Sequence, residues 1–327
     1  MNKADQFEGC ILGGAIGDAY GSGYEYLTKE NESAYYLFGK PKTQEPKWQI
    51  TDDTQLTLAT VEAMTETAEI SPETIADKFL SDFRKGKLSG LGASTLGAFR
   101  ALDVGAHWSL AGRKGEYAAG NGPAMRIAPL AFLDEIDYSI VRDICFLTHH
   151  NDEAYVGAKC VVLAIREILN GNWNGKSCLV EKIIPQIPDT RVRDRLIRVK
   201  EMENLEAIGA LGNDGYVVNS VPLAIAAANQ TLAFGPEEIF SKLVSIGGDT
   251  DTNCSIAGQI MGTLIGKKAF PDNLIKKLER LAEYPRINRS VKRFIKSKKL
   301  VSRGLSLQSA LQGLNLSFTF STPYHDP

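Results

Sequence analysis

Two clusters of carboxylates, far apart in the chain, constrain its fold more than any other feature. Residues 247–253 read Gly-Gly-Asp-Thr-Asp-Thr-Asn, and residues 51–54 read Thr-Asp-Asp-Thr. Each cluster stands directly before an apolar segment with helical periodicity, so each is expected at the start of a helix. If the two helix starts meet in the fold, their acids and hydroxyls form a single set of oxygen ligands.

Such a ligand set predicts a bound divalent cation. Converging carboxylates repel one another and cannot all ionise without a cation, and the nearest basic residues in sequence, Lys47 and Lys242, stand several positions away. Oxygen ligands suit Mg²⁺ or Mn²⁺, whereas zinc favours sulfur and imidazole. Alone, residues 51–54 are more typical of a capped helix start. Two acids after a Gly-Gly pair exceed what a cap needs, so we favour a metal site.

Helical periodicity dominates the remaining sequence, and strand signals are weak. Only residues 316–320 alternate convincingly between apolar and polar side chains. We therefore predict a compact all-α fold, with loops at 23–50, 105–121 and 211–217. The predicted helices are 53–67, 71–86, 93–104, 122–132, 139–148, 151–170, 178–184, 189–209, 218–230, 236–246, 252–266, 272–283 and 289–298.

Composition narrows the class of protein. The chain has 327 residues, 43% of them hydrophobic, which suffices for a large core, and its net charge of -2 provides no basic field for nucleic acid or an anionic membrane. No apolar segment is long enough to cross a bilayer, and the N-terminus lacks the pattern of a signal peptide. The five cysteines include no C-x-x-C pair. We therefore expect buried thiols in a reducing cytoplasm.

Glycines recur at every fourth position from Gly9 to Gly21. This spacing lines one face of a helix with hydrogen atoms and predicts close packing against another helix. Asp18 stands among these glycines, and a local structural role is favoured for it. Glu25 follows the expected end of the helix and is free to point into a cleft, although a solvated glutamate is the simpler interpretation of this residue alone.

Two further segments carry possible ligand contacts. Gly120-Asn121-Gly122 precedes a predicted helix, where free N–H groups suit a diphosphate, and an asparagine-capped helix is equally compatible with the spacing. His149 is interpreted as a stacking or hydrogen-bonding imidazole at the rim of a pocket. A helical, metal-dependent phosphohydrolase of the HD type is disfavoured, because it needs more histidine ligands than the chain offers.

Taken together, these segments resemble the ADP-ribosylglycohydrolase family, which includes the dinitrogenase reductase-activating glycohydrolase and the eukaryotic ADP-ribosylhydrolases. The order and rough spacing of the motifs fit from about residue 8 to residue 266. The matching segments are residues 13–19 (GGAIGDA) with Glu25, residues 51–56 (TDDTQL), residues 120–122 (GNG) with 125–130 (MRIAPL), Thr148-His149, and residues 247–252 (GGDTDT).

The resemblance implies an orthogonal multi-helix domain with a central cleft that holds two Mg²⁺ or Mn²⁺ ions. It also implies an enzyme that hydrolyses the bond joining ADP-ribose to an acceptor. Residues that match the metal ligands of the family are Thr51, Asp52, Asp53, Asp249, Asp251 and Thr252. Residues expected to bind substrate are Gly120, Asn121, Gly122, His149 and Gly248. Glu25, Asp53 and Asp249 are expected to act in catalysis, with Glu25 either orienting or deprotonating the attacking water or protonating the leaving group.

The resemblance leaves the substrate open. An ADP-ribosylated protein side chain, such as arginine, and a small ADP-ribose conjugate are both compatible with it. The alternative function is an ADP-ribose-binding or immunity protein that blocks a cognate ADP-ribosyltransferase by docking. We expect the domain to occupy residues 1–300, followed by a tail at 301–327 whose role the sequence does not indicate.

Overall fold

The computed structural model describes residues 1–25, 46–67 and 69–299. Residues 316–320 and the tail at 301–327 lie outside these ranges, as does most of the predicted loop at 23–50. The boundary near residue 300 therefore stays a prediction.

The described residues form a helical protein, which confirms the predicted fold class. Two strands of two residues each, β1 (Arg113–Lys114) and β2 (His149–His150), pair in parallel. Short 3-10 segments cover Glu116–Ala118, Ala128–Phe132, Ile184–Gln186 and Lys267–Ala269, and a π-helical turn covers Ile295–Lys299. The α-helices are α1 (Lys3–Gly21), α2 (Asp52–Glu66), α3 (Pro72–Arg84), α4 (Ala93–Asp103), α5 (Trp108–Ala111), α6 (Gly122–Arg126), α7 (Tyr138–Phe146), α8 (Asp152–Leu169), α9 (Leu179–Ile183), α10 (Arg191–Lys200), α11 (Leu205–Gly209), α12 (Val217–Asn229), α13 (Thr231–Phe234), α14 (Pro236–Ile246), α15 (Thr250–Ile265), α16 (Asp272–Glu279) and α17 (Tyr284–Phe294).

Helices α1 and α15 form the centre of the core and run antiparallel at very short distance. The predicted glycine face of α1 meets glycines of α15, so that Gly9 lies against Gly262 and Gly13 against Gly258. A Cβ atom at Gly258 would lie 2.7 Å from the carbonyl carbon of Gly13, closer than real Cβ atoms approach. This packing brings the C-terminal end of α1 beside the N-terminal end of α15, because the hydroxyl of Thr250 donates to the carbonyl oxygen of Gly21 (2.8 Å).

Four predicted helices differ from the structure. The predicted helix 272–283 ends at Glu279, and the other three differ as follows. The predicted helix 189–209 is two helices, α10 and α11, because Asn204 caps the second one by accepting a hydrogen bond from the N–H of Ala207. The predicted helix 122–132 ends at Arg126 and continues as a 3-10 turn, since Pro129 has no N–H for an α-helical bond. Helix α17 begins five residues before the predicted position 289, with Pro285 in its first turn.

The cysteines and the apolar helices agree with the sequence analysis. All five cysteines are free thiols, and all except the half-buried Cys178 are buried. Among the described helices, none combines the length and the apolar composition needed to cross a bilayer.

A partly buried charge network ties the C-terminal helix α17 to α2 and α3. Arg286 donates to both carboxylate oxygens of Glu62 (2.9 Å each) and also to Asp82, while Lys78 pairs with Glu62 at 2.8 Å. Burial alone would raise the pKa of Glu62, but the hydrogen bonds from Arg286 and Lys78 outweigh it and lower this pKa to about 2. The network carries no sequence signal, because its members are distant in the chain.

We expect Arg286→Met to lower the free energy of unfolding by about 3 kcal/mol, because it leaves two carboxylates in the protein without their main partner. Urea unfolding at neutral pH measures this loss. Since the pKa of Glu62 is lowered in the folded state, its stabilising contribution is complete above about pH 4.5 and is lost as the pH falls towards 2. The difference between wild type and variant should therefore shrink on acidification. Arg289→Met, which alters an exposed arginine one turn further on, is the control and should change stability by less than about 0.5 kcal/mol.

Candidate active site

The two acidic clusters meet in one cavity of about 460 Å³. Its walls come from the turn that follows α1, the starts of α2, α4 and α15, and the segments before α6, α8 and α12. The predicted site residues that line it are Glu25, Thr51, Asp52, Asp53, Gly120, Asn121, Gly122, His149, Asp249, Asp251 and Thr252.

The start of α2 is held in place by Asp18 of α1. The Asp18 carboxylate accepts hydrogen bonds from the backbone N–H and the hydroxyl of both Thr51 and Thr54. Thr51 is the N-cap of α2 and accepts from the N–H of Asp53 (3.3 Å). Asp18 is buried, and burial raises its pKa to about 6 although these hydrogen bonds oppose the rise. The structural role favoured for Asp18 agrees with these contacts, and this residue aims Asp52 and Asp53 into the cavity.

The start of α15 is shaped by the Gly-Gly pair. Gly247 and Gly248 both have positive φ angles, at 82° and 80°, which favour glycine. A side chain at Gly248 would also collide with the backbone and side chain of Asn213. The carbonyl oxygen of Asn213 accepts from the N–H of Asp249 (3.0 Å) and from the side chain of Asn253 (2.9 Å). Gly248 lies outside the cavity lining, and its predicted contact with substrate stays a prediction.

Direct contacts join the segments across the cavity. The hydroxyl of Thr252 donates to Oδ2 of Asp53 (3.2 Å), which connects the two acidic clusters. The side-chain amide of Asn121 donates to Oδ2 of Asp249 (2.7 Å). Carboxylate oxygens of Glu25, Asp249 and Asp251 lie within 4.8 Å of one another. Acids from three separate parts of the chain therefore share one small volume.

The electrostatics of this cluster fit a bound cation. Burial raises the pKa values of Asp52, Asp53 and Asp251, and neighbouring carboxylates raise them further. Within residues 1–25, 46–67 and 69–299, no Lys or Arg forms an ion pair with these three acids or with Asp249. Oδ1 of Asp53 is buried without any hydrogen-bond partner. An all-oxygen set that contains an unpartnered buried oxygen, and that forms no ion pair with a described Lys or Arg, is suited to Mg²⁺ or Mn²⁺.

The loop before α6 packs directly on the imidazole of His149. A Cβ atom at Gly120 would lie 2.9 Å from Nε2 of His149, and one at Gly122 would lie 2.8 Å from its Cε1. Only glycine therefore fits at these two positions. The loop is also bound to the segment before α12, because the N–H of Asn121 donates to the carbonyl oxygen of Gly215 (3.0 Å). His149 is thus buried against the loop and still lines the cavity.

Two parts of the cavity were not singled out in the sequence. One is the loop and helix start at Gly90 and residues 92–95, where α4 begins without a side-chain cap. The other is Gly215, where a Cβ atom would lie 3.2 Å from Oδ2 of Asp249. The glycines of the sequence Ser-Gly-Leu-Gly before a predicted helix are a signal for free N–H groups at a ligand site. Gly215 has no comparable local signal.

Comparison with known proteins identifies the family. The model of the ADP-ribosylglycohydrolase family matches residues 1–303. The chain belongs to the ADP-ribosylglycohydrolase family. This membership confirms the predicted enzyme class, a hydrolase of glycosidic bonds to ADP-ribose.

Individual relatives of the ADP-ribosylglycohydrolase family cover most of the chain. ADP-ribosylhydrolase ARH3 of Homo sapiens is 28% identical over 322 residues, covering 82% of this chain and 87% of that protein. ADP-ribosylarginine hydrolase Tri1 of Pseudomonas putida is 25% identical over 285 residues, covering 84% of this chain and 74% of that protein. A solved chain described as an ADP-ribosylglycohydrolase-related protein complex aligns with a TM-score of 0.67 at 26% identity, covering 90% of this chain and 99% of that chain. The structural likeness confirms the ADP-ribosylglycohydrolase-like helical fold.

Proposed function

We propose that this protein removes ADP-ribose from a modified acceptor by metal-dependent hydrolysis in the cavity described above. The observation that carries the proposal is the hydrogen bond between Thr252 and Asp53, which joins two acidic clusters from distant parts of the chain in one cavity. A binding protein needs no such concentration of buried carboxylates, and their mutual repulsion costs stability unless a cation offsets it.

We assign the metal ligands to the oxygen atoms that face this cavity. They come from the start of α2 and the start of α15: Thr51, Asp52, Asp53, Asp249, Asp251 and Thr252. When bound, two Mg²⁺ or Mn²⁺ ions would neutralise these acids and polarise oxygen atoms of the substrate and of water. The unpartnered oxygen of Asp53 supports this assignment, because it is a buried acceptor that no protein group uses.

The chain supplies the other catalytic groups. Hydrolysis of a ribose glycosidic bond passes through an oxocarbenium-like transition state, which nearby negative charge stabilises. Glu25 lies with Asp249 and Asp251 at the same end of the cavity and is the candidate to orient or deprotonate water, or to protonate the leaving group. Asn121 holds Asp249 through its side-chain amide. In the proposed mechanism, these residues would supply acid–base chemistry to the anomeric carbon of bound substrate.

The remaining cavity residues are assigned to the ADP-ribose. Gly120 and Gly122 line the cavity, and we assign the diphosphate to the backbone of this loop. The uncapped start of α4 offers further free N–H groups along the same cavity. His149 contributes an imidazole against the loop, and we keep Gly248 as a predicted substrate contact.

The names of two relatives indicate which acceptor to test first. One relative is named an ADP-ribosylarginine hydrolase and another an ADP-ribosylhydrolase, and both cover most of this chain. We propose an ADP-ribosylated side chain, with arginine as the first candidate, and a small ADP-ribose conjugate as the other class.

Parallel incubations with ADP-ribosyl-arginine, ADP-ribosyl-serine and O-acetyl-ADP-ribose, each with Mg²⁺ or Mn²⁺ and with chelator, test this proposal. We expect release of ADP-ribose from at least one conjugate and none with chelator. Release from none of the three by folded protein would contradict the proposal. In that case, a cognate ADP-ribosyltransferase should be added, because inhibition that persists in Asp53→Asn would indicate that the protein acts by docking.

Two broader assignments remain proposals. We propose that the catalytic domain ends near residue 300, because the family match reaches residue 303. We also propose a reducing compartment such as the cytoplasm, since five free thiols, four of them buried, are typical of proteins that form no disulfides.

A further inference from the structure

A buried arginine is linked by hydrogen bonds, through the side chain of Thr148, to His149 in the cavity wall. Arg126, the last residue of α6, is 1% exposed. Its Nη1 donates to the carbonyl oxygen of Gly122 (2.6 Å), and its Nη2 donates to Oγ1 of Thr148 (2.7 Å). Burial lowers the pKa of Arg126 to about 10, so the group remains positively charged at neutral pH. Among the described residues, no carboxylate forms an ion pair with it, so the cost of burying this charge is offset by its two hydrogen bonds and by the negative charge of Asp52.

The hydroxyl of Thr148 connects Arg126 to His149, because it forms a hydrogen bond with each of them. Thr148 is fully buried, and its Oγ1 lies 2.8 Å from Nδ1 of His149. Since Oγ1 already accepts from Arg126, its own proton remains to be donated, and Nδ1 is the acceptor that the described residues offer. Nδ1 therefore accepts a hydrogen bond, and a neutral imidazole must then carry its proton on Nε2.

The ring of His149 is fixed in its plane as well as in its tautomer. Its Nε2 and Cε1 edge lies under Gly120 and Gly122, where no larger residue fits. Behind the ring, the N–H of Arg113 donates to the carbonyl oxygen of Thr148 (3.0 Å), which anchors the start of β2. Burial lowers the pKa of His149 to about 3, and the charges of Arg126 and Arg113 add to this effect, so the ring stays neutral.

We propose that Arg126 is a positioning residue that acts through Thr148 to hold His149 as its Nε2–H tautomer, so that this N–H donates to an oxygen atom of bound ADP-ribose. The inference rests on the proposed function for the identity of the ligand. It assigns His149 the role of a hydrogen-bond donor, because a protonated Nε2 has no lone pair with which to accept a proton or bind a metal ion. Arg126 also fixes the loop above the ring through its bond to Gly122.

We call the hydrogen-bonded series Arg126–Thr148–His149 the relay. A matched pair of substitutions at Thr148 distinguishes a role in the relay from a role in packing. Thr148→Val keeps the shape of the side chain and removes the hydroxyl, whereas Thr148→Ser keeps the hydroxyl and leaves a methyl-sized gap. A packing role predicts that serine is the more damaging change, because the gap costs contacts. The relay predicts the reverse order, because valine leaves Nη2 of Arg126 and Nδ1 of His149 without their shared partner.

Two readouts on the full chain test the inference. Long-range ¹H–¹⁵N spectra of protein with labelled histidines report the tautomer of each ring, and the signals of His149 are assigned from the His149→Gln variant. Calorimetric titration with ADP-ribose in the presence of Mg²⁺ reports affinity. We expect the Nε2–H tautomer in wild type and Thr148→Ser. In Thr148→Val we expect loss of this preference and about tenfold weaker binding of ADP-ribose.

The results can contradict the relay and the assigned ligand separately. An Nδ1–H tautomer in the wild type, or wild-type affinity in Thr148→Val, would overturn the relay even if the protein hydrolyses ADP-ribose conjugates. No binding of ADP-ribose by a wild type with the Nε2–H tautomer would overturn both the ligand assigned here and the proposed function. Greater loss in Thr148→Ser than in Thr148→Val would assign Thr148 to packing.

Discussion

Asp53→Asn is expected to reduce the release of ADP-ribose about 1000-fold while leaving the protein folded. The change replaces one oxygen by an amide nitrogen at a carboxylate whose Oδ1 has no hydrogen-bond partner. Loss of one anionic ligand should remove divalent-ion binding, and bound metal contributes several kcal/mol of transition-state stabilisation. Steady-state rates at saturating Mg²⁺ or Mn²⁺ measure the activity, and circular dichroism measures the helical content.

The stability of the same variant distinguishes a metal ligand from a structural carboxylate. Burial and the neighbouring acids Asp18, Asp52 and Asp249 disfavour the ionised form of Asp53. Without metal, Asp53→Asn should therefore have a Tm equal to or above that of the wild type, because one repelling charge is gone. Added Mn²⁺ should raise the Tm of the wild type alone.

The control for this experiment is Asp134→Asn, which alters an exposed carboxylate whose side chain is 84% accessible to solvent. It should keep both the activity and the response of Tm to Mn²⁺. A clear fall in the Tm of metal-free Asp53→Asn would contradict the assignment, since it would mean that this carboxylate stabilises the fold by itself. Full activity in the variant would contradict it directly.

Gly258→Ala is expected to destabilise the protein by about 3 kcal/mol or more. The added Cβ atom would lie 2.7 Å from the carbonyl carbon of Gly13 and even closer to its oxygen. The contact is between two backbones, so no side-chain rotation relieves it and α1 must move away from α15. Urea unfolding at neutral pH measures the loss.

Gly97→Ala provides the matched control for this change. Gly97 lies inside α4, and a Cβ atom there would meet nothing within 4 Å. Alanine is the better helix former, so the control should be stabilised by about 0.5–1 kcal/mol. If the two glycine-to-alanine changes alter the free energy of unfolding in opposite directions, the loss in Gly258→Ala arises from the contact between α1 and α15. A stability change of Gly258→Ala within about 0.5 kcal/mol of wild type would show that the two helices separate easily.

The movement of α1 in Gly258→Ala has a functional consequence. Helix α1 carries Asp18, which holds the start of α2, and Gly21, which accepts from Thr250 at the start of α15. A displaced α1 therefore misaligns both acidic clusters. We expect any folded Gly258→Ala protein to bind Mn²⁺ more weakly than the wild type, as calorimetric titration would measure.

Local signals in the sequence were sufficient to predict where most helices start. Thr51, Ser71 and Asn151 each cap a helix that was predicted within one or two residues, because capping depends on hydrogen bonds between near neighbours in the chain. The interruption between α10 and α11 was missed, although Asn204 caps the second helix in the same way. Helical periodicity continues through that interruption and concealed it.

The chain alone determined the helical class, the glycine face of α1 and the chemistry of the acidic clusters, since these follow from residue type and short-range spacing. Several contacts depend on residues distant in sequence: the pairing of Gly13 with Gly258, the hydrogen bond from Thr252 to Asp53, and the hydrogen bonds of Arg126 and Arg286. Only tertiary structure decided them, because many pairings of apolar helices satisfy the same local pattern. The fold selects the pairing that buries these polar groups with their partners.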